Sequence, residues 1–163
     1  MTYNLHPIFV HFPIALLFIY SIIRVLPLQK WFPGVAWKQA ERILLFLGVL
    51  GAFVALTTGE TAEELMRANS QLVEAHSTFA AISTWLYVAL LAGEVSSYLS
   101  VKYHKAIIVL LKKILAEGWF PKVMALVALV SISLTGLLGG VIVYGPTADP
   151  FAAFVLKLLG ITL

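Results

Sequence analysis

The sequence predicts an all-α integral membrane protein, an antiparallel four-helix bundle with short interfacial amphipathic helices. Composition, four long apolar runs and the alternation of charge between connectors predict it. The 163 residues are 61% hydrophobic and 12% charged, and the mean hydropathy is +0.96. A soluble domain is nearer half apolar and a quarter charged, and so short a chain cannot bury this much apolar surface internally. Lipid is therefore the expected solvent.

Composition also excludes several function classes. The chain has no cysteine, which removes disulfides, thiolate metal sites and covalently attached haem. No basic patch with interleaved aromatic residues occurs, so nucleic acid is not an expected partner. Histidine, carboxylate and tyrosine remain as the side chains that could carry chemistry.

Four apolar runs are long enough to cross roughly 30 Å of hydrocarbon. The predicted spans cover about residues 8–26, 40–58, 77–99 and 121–144, within a domain of residues 1–147. Pro7 suits the first turn of span one, whereas Pro13 lies further in and predicts a kink. Residues 148–163 are predicted to form an apolar tail that lies in the interface or contacts another subunit.

Two connectors are predicted to carry surface helices. The stretch from Thr61 to Glu64 has the spacing of a capping box, which predicts a short helix within residues 60–75. Residues 102–118 place lysines around an apolar run that is too short to span. This pattern is typical of a basic amphipathic helix on a membrane surface.

The charges of the connectors predict the orientation. The first and third connectors are basic and the second is mainly acidic. Lysine and arginine near span ends favour the cytoplasmic side. Both termini and the second connector are therefore expected outside.

Three of the four histidines then fall in one layer near the outer face. His6 and His11 lie at the outer end of span one, and His76 lies at the outer end of span three. One histidine from each of two facing helices is how bundles hold haem or metal. His6 and His11 are about 140° apart around a helix, and the deeper His11 is expected to face inward.

The pair of His11 and His76 has three interpretations. The two side chains could ligate a b-type haem, form hydrogen-bonded interfacial histidines, or join His6 and Glu60 in a metal site with nitrogen and oxygen ligands. His104 lies among lysines and is expected at the surface.

Other residues could serve such a site. Two sets of glycines have spacing that lets a backbone or a flat ligand come close, and helix packing is the plainer interpretation: Gly48 and Gly51, and Gly136 and Gly140. Arg67, the only basic side chain on the outer connector, could meet a haem propionate. Glu94 shares a face with His76 and is either a proton-handling carboxylate or a residue at the inner interface.

The run from His6 through Pro7, Val10 and His11 to Pro13 resembles the opening signature of a bacterial membrane family, the domain of unknown function twenty-two thirty-one. The resemblance extends to Thr58-Gly59 after span two, His76 at the start of span three, and Gly139-Gly140 with Tyr144-Gly145 at the end of span four. It implies a four-span domain in the bacterial inner membrane, with histidines like those of small b-type cytochromes. On this basis the ligand role is carried onto His11 and His76, and His6 is a possible further ligand.

The leading hypothesis is a membrane electron-transfer subunit that binds one haem b near the outer face. It would work within a larger redox complex, with a quinone or an exported cytochrome as redox partner. One alternative is a cofactor-free structural subunit of a redox or photosynthetic assembly. The other is a membrane protein with a histidine and carboxylate metal site. The absence of an internal repeat makes a transporter less expected, and whether the chain is an enzyme stays open.

Overall fold

The structure is a computed structural model that describes residues 6–65, 69–147 and 149–162. These ranges form helices and contain no strand: α1 His6–Val25, α2 Leu28–Trp31, α3 Trp37–Leu65, α4 Ser70–Leu99, α5 Ala106–Leu115, α6 Phe120–Tyr144 and α7 Ala152–Leu159. Helices α1, α3, α4 and α6 are long and apolar enough to cross a membrane. The predicted all-α, multi-span architecture is confirmed.

The four long helices form a ring in which each packs against two neighbours. Helices α1 and α4 both pack against α3 and α6, so α1 and α4 lie across a diagonal of the bundle. Because the helices alternate in direction along the chain, α1 and α4 point the same way. The bundle end that contains His6 and His76 is called the histidine end below. The opposite end, which contains Arg24 and Glu94, is called the arginine end.

Glycines of α3 bring α1 and α3 close together. A Cβ on Gly48 would lie 2.5 Å from Leu17 Cδ2, and one on Gly51 would lie 3.3 Å from Pro13 Cβ. Leu17 and Leu45 are fully buried in the same cluster. Side chains of α1 therefore fill the face that Gly48 and Gly51 present. Of the two interpretations of these glycines, helix packing is the one that the contacts support.

The second connector differs from the prediction. Helix α3 continues to Leu65, and α4 begins at Ser70, where Asn69 Oδ1 accepts hydrogen bonds from the amides of Gln71 and Leu72. The prediction of a separate surface helix beginning at Thr61 is therefore wrong. Residues 58–65 contain no proline, so the α3 helix continues beyond its apolar span into a polar last section. The N-cap of the next helix is Asn69 rather than Thr61.

The C-terminal segment also has a more defined place than an interfacial tail. Ala152, Val155 and Leu156 of α7 are buried against α4 and α6, where they meet Leu72 and Leu138. The Asn69 side-chain amide donates to the Thr162 carbonyl at 3.2 Å. Helix α7 therefore closes the histidine end of the bundle.

A pair of tyrosines spans the diagonal, with Tyr20 one turn before Arg24 on α1. The rings of Tyr20 and Tyr87 meet edge to face, with centroids 6.1 Å apart. The Tyr87 hydroxyl lies 2.8 Å from Ser21 Oγ, and Ser21 is fully buried. This hydrogen bond satisfies two polar groups that have no access to water.

We expect Tyr87→Phe to destabilise the bundle by about 1–3 kcal/mol, because it leaves the Ser21 hydroxyl buried without this partner. Denaturant unfolding in mild detergent measures the loss. The double variant Ser21→Ala/Tyr87→Phe should cost less than the sum of the two single variants. Simple additivity of the two losses would contradict the hydrogen bond.

Candidate functional site

Two histidines face each other across the diagonal at the histidine end. The ring centroids of His6 on α1 and His76 on α4 are 6.4 Å apart, and the ring planes are nearly perpendicular, at 85°. His6 shares the buried face of α1 with Pro13 and Arg24, which follow it by seven and eighteen residues. On α4, His76 likewise shares a face with Tyr87. The periodicity of both helices thus directs the two rings toward the bundle axis.

Each imidazole is oriented by a threonine on the adjacent helix. His76 Nδ1 lies 3.0 Å from the Thr135 carbonyl oxygen, which only accepts hydrogen bonds, so Nδ1 carries a proton. His6 Nδ1 lies 3.1 Å from Thr58 Oγ1. That hydroxyl also lies 3.0 Å from the Val54 carbonyl oxygen and 3.1 Å from the Ala55 carbonyl oxygen, so it links the His6 ring to the backbone of α3. For His76, the proton on Nδ1 leaves the lone pair on Nε2.

A glycine makes room for each ring. A Cβ on Gly59 would lie 3.3 Å from Cε1 of His6, and a Cβ on Gly139 would lie 3.1 Å from Cε1 of His76. The same arrangement therefore occurs in the α1/α3 pair and in the α4/α6 pair. In each, a histidine of one helix contacts a threonine and a glycine of the other. No pattern in the sequence assigned a site role to Thr58 or Thr135. The available signals were the Thr58-Gly59 pair in the family resemblance and the position of Thr135 beside Gly136.

His11 is placed differently from the prediction. It is exposed at the bundle surface, and its Nδ1 contacts the Pro7 carbonyl oxygen of the same helix. The expectation that His11, rather than His6, faces inward is wrong. The prediction started span one near Ile8, whereas α1 begins at His6, so His6 itself follows the helical register of the buried face.

The remaining predicted residues do not join the histidine pair. Gly136 and Gly140 line an open groove of about 460 Å³ between α1 and α6, together with Ile14 and Tyr144, and no histidine is among its described lining residues. Arg67, which was predicted to meet a propionate, lies outside the described residues.

A carboxylate and histidine metal cluster is not present in the described ranges. Glu60 is exposed, and no group of three or more histidine, cysteine, aspartate or glutamate side chains there could hold a metal ion. His104 is exposed, as predicted.

The arginine end contains a buried charge cluster. Arg24 Nη1 lies 3.3 Å from Glu41 and 3.7 Å from Glu94, and Arg42 Nε lies 3.2 Å from Glu94. Arg24 also donates to the Ala116 carbonyl, just beyond the C-terminus of α5. Two cations thus balance two carboxylates. Glu94 is held as an ion-pair partner near the end of its span.

The comparisons with known proteins add the family. No curated protein and no solved structure matches the chain. Over residues 2–147 the sequence matches the family described as predicted membrane protein (DUF2231), which confirms the resemblance inferred from the opening histidine and proline motif. A match over most of the chain, carried on four helices that can span a bilayer, shows that this multi-pass membrane protein belongs to the DUF2231 family.

Proposed function

We propose that the protein is a membrane electron-transfer subunit that binds one b-type haem at the histidine end, with His6 and His76 as the axial ligands. The observation that supports it is the facing pair of imidazoles between two diagonal helices. The proposal keeps the predicted role of His76 and moves the second ligand role from His11 to His6.

The separation of the rings suits one shared iron. A metal–nitrogen bond is about 2.0–2.1 Å long, so one iron held between the two rings would be within reach of both. The observed centroid distance is 6.4 Å.

The number of ligands favours haem over a bare ion. The described part of the chain offers two histidines at this place and no third strong ligand. Structural zinc takes four protein ligands, and catalytic zinc takes three. A porphyrin supplies four nitrogens of its own, so His6 and His76 would be sufficient to hold its iron.

The surrounding residues would act on the ligands. The Nδ1 hydrogen bonds to Thr58 and Thr135 fix the ring orientations and make Nε2 more basic, as outer-shell partners of metal-bound histidines do. Gly59 and Gly139 leave the space that the two rings occupy. The bound group would supply one-electron redox chemistry. A larger membrane complex, with a quinone or an exported cytochrome as partner, would be needed to carry electrons to and from it.

The same proposal includes a location and an orientation. The arginine end carries most of the basic connector residues, so the positive-inside rule favours placing it in the cytoplasm. The histidine end and both termini would then lie outside the bacterial inner membrane.

A reduced-minus-oxidised absorption spectrum of protein purified from a haem-replete host tests the proposal. We expect a b-type α band that is lost in His6→Ala and in His76→Ala, because each variant removes one axial ligand. His11→Ala is the matched control and should keep the band, since His11 is exposed. A flat spectrum of the wild-type protein would contradict the proposal, as would a band that survives His6→Ala but not His11→Ala.

The second candidate is a structural subunit in which the two histidines only join the helices. The hydrogen bonds of both rings to threonines of adjacent helices favour it, since each ties a pair of helices together. In this case His6→Ala and His76→Ala would lower the stability of a protein that has no haem spectrum.

A further inference from the structure

Helix α5 has three distinct stripes along its length. Ile108, Leu111 and Leu115 recur at helical spacing and are partly covered by the bundle. Ile107, Leu110 and Ile114 form a second stripe with exposed fractions of 59%, 50% and 43%. The remaining side of the helix carries the basic residues, which are Lys112 and Lys113 in the last turn and Lys105 at the N-cap. An amphipathic helix with both a free apolar stripe and a basic one is typical of the membrane interface.

The lysines of this region differ in what they contact. Lys112 pairs with Glu117 at 3.2 Å, and Lys102 lies over the Tyr103 ring at 5.3 Å. Lys105 and Lys113 are exposed. Neither has an acidic partner within ion-pair distance in the described part of the chain. Lys105 at the N-cap of α5 and Lys113 in its third turn therefore lack a counter-charge from the described residues.

The far end of α5 is fixed in the bundle. The Leu115 backbone lies close to Gly93 on α4. A Cβ added to Gly93 would be 2.6 Å from the carbonyl carbon and oxygen of Leu115. The next carbonyl, that of Ala116, accepts a hydrogen bond from buried Arg24. The following turn exposes Trp119 to 73%, and tryptophan is enriched at membrane–water interfaces. The anchoring holds the α5 lysines beside the span ends, where lipid headgroups are expected in a bilayer.

We propose that α5 forms a binding surface for anionic phospholipid headgroups, with Lys105 and Lys113 as the headgroup-binding residues and Ile107, Leu110 and Ile114 against the acyl chains. Charge complementarity selects the occupant. The segment 102–122 contains five lysines and one acid, and anionic lipids attract juxtamembrane basic clusters. The proposal is independent of haem binding at the histidine end.

Because α5 is tied to Arg24, lipid bound to it also stabilises the charge cluster at the arginine end. A ligand that binds only the folded state raises the free energy of unfolding as its concentration exceeds its dissociation constant. We therefore expect the melting temperature of the detergent-solubilised protein to rise when phosphatidylglycerol is added, and to rise less with phosphatidylcholine.

Native mass spectrometry of the full chain, titrated with phosphatidylglycerol, measures the affinity. We expect Lys105→Gln/Lys113→Gln to bind this lipid about thirtyfold more weakly. Lys30→Gln/Lys38→Gln is the matched control, because it removes the same charge from exposed lysines at the same end. It should change the affinity less than threefold. Circular dichroism checks that both variants keep their helix content.

Three outcomes would overturn the proposal. Equal loss in the two double variants would show a general surface potential rather than a site on α5. Equal binding of phosphatidylglycerol and phosphatidylcholine would remove the role of headgroup charge. Competition by soluble glycerol phosphate at the same concentration as the lipid would show a phosphate site that needs no membrane.

Discussion

Replacing Arg24 with alanine is expected to cost the folded protein about 3–5 kcal/mol, the range for breaking a buried ion pair by removing one partner. Arg24 is 8% exposed and Glu41 is 5% exposed. The variant leaves Glu41 without its cation and the Ala116 carbonyl without its donor. Denaturant unfolding in mild detergent measures the loss of stability.

Arg42→Ala is the matched control for this prediction. The Arg42 side chain is 52% exposed, and Glu94 keeps Arg24 as a partner when Arg42 is removed. The expected cost is below about 1 kcal/mol, as for exposed ion pairs. If Arg42→Ala were as destabilising as Arg24→Ala, the buried position of Arg24 at the centre of the cluster would be contradicted.

A compensating variant separates lost charge balance from lost packing. Arg24→Met/Glu41→Met removes both charges and keeps apolar volume, and such replacements of buried pairs are often neutral or stabilising. We expect it to be more stable than Arg24→Ala. A double variant that is less stable than the single one would indicate that Arg24 acts mainly through Ala116 and Glu94.

The second large effect is expected at Gly93, where an added methyl group has no room. In Gly93→Ala the Cβ would lie 2.6 Å from both the carbonyl carbon and the oxygen of Leu115. These are backbone atoms, so the whole C-terminus of α5 must move. Overpacking of this kind typically costs about 1–3 kcal/mol. Hydrogen exchange should show loss of protection in residues 106–116.

Gly140→Ala provides a control with the opposite sign. Gly140 is also inside a helix, and a Cβ there meets nothing within 4 Å. Alanine is favoured over glycine in helix interiors by about 0.5–1 kcal/mol, so this variant should be slightly more stable than the wild type. Stabilisation by Gly93→Ala to the same extent would show that α5 does not pack against α4 as described.

The helical period of α1 was sufficient to place His6 on the buried face only once the start of the helix was known. Counting from Arg24 or Pro13 back along α1 gives His6 the buried face, provided that the helix is known to begin at His6. Capping signals at this terminus were weak, and helix ends are the least certain feature of a sequence. His11 was favoured because it lies deeper in the span, and depth along a helix does not determine which face a residue occupies.

The prediction of a surface helix in the second connector was also wrong because a local pattern was ambiguous. Thr61 to Glu64 has the residue types of a capping box, but the same residues are compatible with a helix interior. Whether these residues cap a new helix or continue the previous one depends on whether the chain has left the bundle before Thr61. In the folded protein α3 continues past this point to Leu65, and Asn69 forms the N-cap of α4.

The amino-acid sequence by itself determined the solvent of this protein, its four spans, its helical class and the end of the bundle at which the histidines lie. These follow from apolar surface and its spacing along the chain, which are properties of single segments. Only the tertiary structure decided that His6 rather than His11 meets His76, that threonines 58 and 135 orient the rings, and that Arg24 joins Glu41, Glu94 and the end of α5. Such contacts depend on how rigid helices rotate and pack against one another, and pairing across 17 to 92 positions of sequence leaves no local pattern.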